Sequence, residues 1–563
     1  MRLWLSVLFI AFSTFSSADL LIKGGPIYTV SAEMPTAEAV YVTEDRIAFV
    51  GGLKAAMRFV SDDTRIIDLQ GKTMTPGFIE GHGHIMSLGF SKLNLDLSSA
   101  GSFDDIVTQV EAAAARARPG EWILGRGWHQ SKWDPAPERM VKGFQTHEKL
   151  SAVSPDNPVW LVHASGHAAM ANARAMEIAG VGPETEFSGD GEVIKDENGQ
   201  PTGIFNEVAQ TLVRQHVPPP TAHQARQALT LALDEMARWG ITSFQDAGSG
   251  RDEIALFEAF LAEGKLTSRL WVMLAGRQPE LLLDWYRRGP AIGLGDERLT
   301  IRAIKLVADG ALGSRGAWLI EPYTDREGHV GLPTMTPEYM AEVAARGFEH
   351  NFQVCVHAIG DRANREVLDI FDTLFGGRDQ GVRFRIEHAQ HIHPDDIPRF
   401  AELGVIPSMQ GIHMSSDRPW AIDRLGAERI ESGAYVWRKL IDSGAVLVNG
   451  TDVPVEPINP IASFYSLVSR KTLAGEPPGG FEPGQKLSRA EALRSYTLHA
   501  AWGAFEESIK GSIEVGKLAD FTVFDQDIMQ VAEKDLLDTE IAMTIVGGEV
   551  IYKAGDGSPI ASD

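Results

Sequence analysis

The sequence predicts an α/β protein: a (β/α)8 TIM barrel with a composite β-sandwich domain from both termini and a large insert after barrel strand one. Three features predict it. Short apolar runs alternate with amphipathic stretches through the middle of the chain, as βα units require. A texture of short strands and turns begins at residue 19 and returns only near the far end. Ionisable residues recur where the apolar runs stop, and a barrel of this kind keeps its chemistry at the C-terminal ends of its strands. The 563 residues also exceed one hydrophobic core, which rarely grows past roughly 250–300 residues.

The first element is a leader. Arg2 precedes an apolar run from Leu3 to Phe12, and a polar stretch ends in Ser16-Ser17-Ala18. A charged start, a short apolar centre and a small-residue cleavage site read as a secretory signal peptide at 1–18, cut after Ala18. The apolar run is shorter than the about 20 residues that span a bilayer. The expected location is periplasmic or secreted. Cys355 is the single cysteine, so no intrachain disulfide can form and none lies near Ala18 to carry a lipid anchor.

Residues 19–72 read as strands at Leu20–Gly25, Ala39–Val42 and Arg46–Gly52, and residues 505–563 supply Phe521–Asp525, Ile541–Val546 and Val550–Tyr552. Together they are expected to build the small β domain. Between them, residues 73–504 offer eight apolar runs: Thr73–His84, Ile241–Asp246, Ser268–Leu274, Leu299–Ala308, Phe352–His357, Val382–His388, Val405–Gln410 and Ala445–Asp452. Amphipathic stretches such as Pro337–His350 and Asp361–Phe375 intervene. About 155 residues separate the first run from the second, far more than a βα loop needs. Residues 90–238 are therefore read as an inserted subdomain, attached at the catalytic face and expected to cap the barrel mouth.

Composition is that of a globular protein, with 44% hydrophobic and 23% charged residues. A net charge of −24, from 52 basic and 76 acidic side chains, argues against nucleic acid or an anionic membrane as partner. A small-molecule substrate is expected, and a homodimer is compatible with the sequence.

The strand ends carry the chemistry. The first run closes in Glu80-Gly81-His82-Gly83-His84. Side chains two apart on a strand share a face, so His82 and His84 project together, a half-site for zinc or a similar ion. A bare His-X-His is more often structural than metal-binding, and it gains meaning only with further ligands. Those follow in barrel order. Lys305 stands among apolar residues of the fourth run, where an ammonium is costly unless paired or neutralised. His357 ends the fifth run, His388 the sixth, and Asp452 follows the eighth.

With these residues in place, the chain resembles the amidohydrolase superfamily, in particular amidohydrolase family 3 and its N-substituted formamide deformylase-like branch. The resemblance is carried by TPGFIEGHGH at the first strand, IKLVADG at Ile304–Gly310 with Leu312–Arg315 after it, HAIGDRA at His357–Ala363, RIEHAQ at Arg385–Gln390, GTD at Gly450–Asp452 and the closing GSIEVGKLADF. Two departures stand out: Pro407–His413 matches the family only loosely, and Gln245 stands where many relatives have histidine or another polar residue. The resemblance implies a centre of two zinc ions. His82, His84 and Asp452 would bind one ion, His357 and His388 the other, and N6-carboxylated Lys305 would bridge them. A water between the ions would become the nucleophile, with Asp452 as the catalytic proton carrier. The implied activity is hydrolysis of an amide or related C–N bond.

Substrate contacts are read from Asp309 and Arg315 after the fourth strand and from His167 and Trp128 in the insert. Each has a structural reading beside it, Trp128 as core above all. Two rivals remain open. One is the same scaffold with a single metal, acting as a deaminase or on esters or carbamates, against which Lys305 argues. The other is a non-catalytic binding or regulatory protein, against which the complete ligand set argues.

Overall fold

The computed structural model describes residues 19–555, apart from 131–132, 164–165, 167 and 188–190, and the side chain of 207. The expected leader at 1–18 and the substrate candidate His167 lie outside the described residues. The chain forms two compact units, one running to His84 and resuming at Leu233, the other spanning Ile85–Ala232.

In the first unit, eight parallel strands pair in chain order: Phe78–Gly83, Ile241–Ser249, Arg269–Ala275, Leu299–Val307, Gln353–Ala358, Arg385–His388, Ile406–Gln410 and Val448–Gly450. Nearly every residue of these strands is buried, which explains why they read as continuous apolar runs rather than alternating ones. The eighth strand meets the first at a seam that nearly closes the barrel. There Asp452 N donates to His82 O at 2.8 Å, and His84 N donates to Val453 O at 2.8 Å. Glycine permits this approach: a Cβ on Gly81 would lie 2.4 Å from Asn449 O, and one on Gly450 would lie 2.3 Å from Glu80 Oε1.

The expected first strand, Thr73–His84, is two strands. Thr73–Pro76 belongs to the terminal sheet, antiparallel to Phe521–Phe524, and only Phe78–Gly83 enters the barrel. Both pieces are fully buried, so the hydrophobic pattern runs unbroken across the change of sheet. Gly77 is the joint. A Cβ there would sit 2.2 Å from Thr242 Oγ1, so glycine lets the chain pass from the terminal sheet to the barrel at this point.

Strands from both chain ends form one separate eight-stranded sheet. Its order is Glu549–Lys553, Ile541–Val546, Phe521–Phe524, Thr73–Pro76, Leu20–Tyr28, Thr36–Thr43 and Arg46–Gly51, with Arg65–Asp68 parallel to Leu20–Tyr28. Leu20, Ile22, Val40, Met74, Phe521, Val523 and Ile545 fill its core. The second unit has its own six-stranded sheet and its own core around Leu97, Phe103, Ile106, Trp128 and Leu161. Among the described residues, no helix is long and apolar enough to cross a membrane.

Candidate metal centre

His82 and His84 sit at the end of the first barrel strand, and Asp452 follows the eighth. The seam brings them together, so that the donor atoms of all three lie within 4.8 Å of one another. Asp452 Oδ1 is 3.5 Å from His82 Nε2 and 3.3 Å from His84 Nε2. Lys305 Nζ reaches the same point, 3.1 Å from His82 Nε2. The His388 ring centroid lies 4.8 Å from that of His82 and 4.4 Å from that of His357. All six residues of the expected set thus form one cluster at the C-terminal end of the barrel. His388 and Asp452 hold left-handed backbone, at φ 74° and 60°. Non-glycine residues rarely adopt that conformation, which costs on the order of 1–3 kcal/mol and persists where the surroundings enforce it.

Behind the cluster lies a layer of hydrogen bonds that fixes its protons. His82 Nδ1 is 2.6 Å from Glu387 Oε2. A carboxylate accepts, so the His82 proton sits on Nδ1 and the Nε2 lone pair faces Lys305 and Asp452. Arg385 in turn holds Glu387, with 2.7 Å from Nε to Oε1, and also reaches Gly81 O at 2.6 Å, Ser408 Oγ at 2.7 Å and the Gln245 carbonyl. Gln245, a departure from the family wording, is therefore a brace for Arg385, its own Nε2 donating to Ala500 O at 2.8 Å. On the other side, His388 Nδ1 pairs with Gln410 Oε1 at 2.7 Å. An amide oxygen accepts too, which again leaves Nε2 as a lone pair. Glu80 ties the seam, accepting from Thr451 N at 2.6 Å and Thr451 Oγ1 at 3.0 Å. Burial pushes its carboxyl up to about 8 despite those bonds.

The electrostatics suit a metal. Burial, and then the Lys305 charge, lower His82 to about 4 and His357 to about 3, and burial holds His388 well below its ordinary value. Neutral imidazoles are the ligand form. Burial favours a protonated Asp452, but the close approach of His84 and the imidazoles around it outweigh burial and keep the carboxyl well below its usual range. Burial lowers the Lys305 amine, opposed by Glu387 and Asp452. Lone pairs and an anionic oxygen converge with no cation of their own besides Lys305, so the donor set fits divalent ions.

The weaker candidates have other partners. Asp309 is fully buried and accepts from the backbone N–H groups of Trp318, Ile359 and Gly360 at 2.8, 3.0 and 2.8 Å. Its carboxylate braces the loop after strand four, 3.5 Å from His357 Nε2, and does not face solvent. Burial raises it to about 7. The Arg315 guanidinium is gripped by Asp325, at 3.1 and 2.7 Å. Trp128 is fully buried in the insert core, its Nε1 donating to Leu161 O at 2.9 Å. All three side chains thus have structural partners within the fold, as their alternative reading expects. Glu387, Arg385 and Gln410 escaped the sequence reading. The available signal was Arg385 and Glu387 two apart on an otherwise apolar strand, which puts opposite charges side by side on one buried face.

Comparison with known proteins agrees with this geometry. The amidohydrolase family (Amidohydro_3) matches residues 65–552. The chain is 32% identical over 95% of its length to protein LONG AFTER FAR-RED 3 of Arabidopsis thaliana, covering 92% of that protein. It is 27% identical over 95% of its length to an N-substituted formamide deformylase of Arthrobacter pascens, covering 98% of it. The crystal structure of an uncharacterized metal-dependent hydrolase from Pyrococcus furiosus superposes with a TM-score of 0.75 at 28% identity, over 91% of this chain and all of that one. The chain belongs to the amidohydrolase family.

Proposed function

We propose that this protein hydrolyses an amide or related C–N bond, of the N-substituted formamide or N-acyl type, using two zinc ions. His82, His84 and Asp452 would hold one ion, His357 and His388 the other, and Lys305, carboxylated on Nζ, would bridge them. The observation that carries the reading is the convergence of Lys305 Nζ, His82 Nε2, His84 Nε2 and Asp452 Oδ1 on one point at the barrel mouth. The similarity to a formamide deformylase supports the substrate type. When bound, such ions polarise a carbonyl and bring the pKa of water towards neutrality. The residues do the rest. Burial disfavours the ammonium form of Lys305, and a neutral amine can add carbon dioxide and lose a proton to give the carbamate. Asp452, ionised and beside the histidines, takes the proton of the attacking water at a carboxylate oxygen and returns it to the departing nitrogen. Glu387 and Gln410 keep His82 and His388 in the tautomer this requires. We place the mature protein in the periplasm or outside the cell, on the strength of its leader.

The test is a hydrolysis panel of N-formyl and N-acetyl amines, with aminopurines, esters and carbamates beside them. The proposal expects amide cleavage, reduced on the order of 10²–10⁴-fold in Asp452→Asn, which removes the proton carrier. Turnover confined to aminopurines, esters or carbamates would move the protein to the rival chemistry.

A further inference from the structure

A second polar cluster lies beside the centre, on the elements that follow barrel strands seven and eight. The helix Gly411–Gly433 starts directly after strand seven, and His413 and Asp417, four residues apart, share one face of it. The His413 ring is nearly parallel to that of His388, 13° and 6.1 Å between centroids. His413 is only 8% exposed, and its Nε2 has no hydrogen-bond partner. Asp417 Oδ2 accepts from Gln390 Nε2 at 3.0 Å and from Tyr435 OH at 3.4 Å, so two residues from the strand-six and helix ends aim the carboxylate. Glu456, four residues after Asp452, completes the group, and the Ser416 hydroxyl is shared with both carboxylates.

Neither Asp417 nor Glu456 takes part in an ion pair among the described residues, while nearby cations are engaged elsewhere. Arg418 is 2.7 Å from Glu482, and Lys471 is 2.9 Å from Glu533. The cluster therefore presents two carboxylates outside any ion pair, with only the His413 imidazole beside them to offset their charge. Carboxylates accept only, and the ligand that satisfies them and brings a full positive charge is a cation rich in donors. Burial raises both carboxyls, and Asp417 and Asp452 raise Glu456 further, while His413 and the hydrogen bonds to each carboxylate oppose the rise. Bracing Gln390 and Tyr435 alone would need one acidic group, not a second on a different loop.

We infer that His413, Asp417 and Glu456 form a subsite for a guanidinium or ammonium group of the substrate, one imidazole away from the metal centre. Calling that ligand part of the substrate rests on the hydrolase reading; the binding itself does not.

The test uses pentylguanidinium, permanently charged and a poor metal ligand, against pentylurea, its neutral isostere. Calorimetric titration of the purified protein should show the guanidinium binding about tenfold or more tightly than the urea, that is by about 1.4 kcal/mol or more. In Asp417→Asn/Glu456→Gln the preference should shrink to about twofold or less, with thermal melting confirming the fold. In Lys305→Ala it should persist. Equal affinities in the unaltered protein, or a preference surviving the double substitution, would overturn the subsite. Should the double variant fail to fold, Glu456→Gln alone, on a half-buried side chain, must still cut the preference. Failure of the amide panel with an intact preference would sink the hydrolase reading and leave the subsite standing.

Discussion

At the N-terminal end of the barrel, Arg269 binds Asp520 through two hydrogen bonds of 2.7 and 2.9 Å, and Lys510 meets Glu506 at 2.6 Å and Ser243 Oγ at 2.6 Å. Arg383 does likewise with Glu507 at 2.7 Å, under the rings of Trp502 and Phe505. At the C-terminal end, His82, His84, His357, His388, Asp452 and Lys305 are just as crowded, but lone pairs face lone pairs and an amine faces an imidazole. Arg269, Lys510 and Arg383 each have an opposite charge at the first end, and this end joins barrel to terminal sheet. The other end is fixed from behind, by Glu387, Arg385, Gln410 and Glu80, while the donor atoms in front converge without an ion of their own. Opposite charges paired with one another mark a joint of the fold, and converging donors inside a rigid frame mark a place for a ligand.

The sharpest way to break that contrast is to remove one partner at the joint. Asp520→Asn leaves Arg269 buried without its anion and should cost about 3–5 kcal/mol of stability, read by urea unfolding. Metal content and kcat of the folded fraction should not change; a metal loss there would mean that the two ends are not separate. A smaller effect is expected from the brace at the C-terminal end. Glu387→Gln or Gln410→Leu should weaken metal affinity about 10–100-fold while ligand identity is intact, and competition against a chelating dye measures it. An unaltered affinity would show that the histidines need no brace.

The mildest test is pH. Burial opposes ionisation of Asp520, but Arg269 outweighs it and sets the folded pKa below 3.8. The unfolded state thus binds the proton first as pH falls, so the contribution of Asp520 is full above its unfolded value and is lost as pH drops through the folded one. The gap in Tm between the unaltered protein and Asp520→Asn should be constant from neutral pH to about 4 and close below it. A gap that changes near neutrality would contradict the pairing.

Most of the barrel was legible because its strands are buried on both faces and end in turn residues or ionisable ones. The change of sheet at Gly77 was not, since hydrophobicity is blind to which sheet a buried strand joins. Five of the six clustered residues announce themselves as histidines or an aspartate at strand ends, and Lys305 as a charge in an apolar run. Their supports are quieter. Gln410 and Gln245 look like ordinary strand polar residues until His388 and Arg385 are seen against them. Trp128 and Asp309 look functional by type, yet only burial and hydrogen bonding show that each is occupied within its own unit. The left-handed backbone of His388 and Asp452 is imposed by the barrel and has no local signature.

Elemental analysis of the purified protein beside Lys305→Ala decides whether the C-terminal end of the barrel holds two ions through Lys305. About two zinc, manganese or iron ions per chain are expected, falling sharply in the variant while circular dichroism is unchanged. No metal after zinc is supplied, or a single ion indifferent to Lys305, would contradict that expectation.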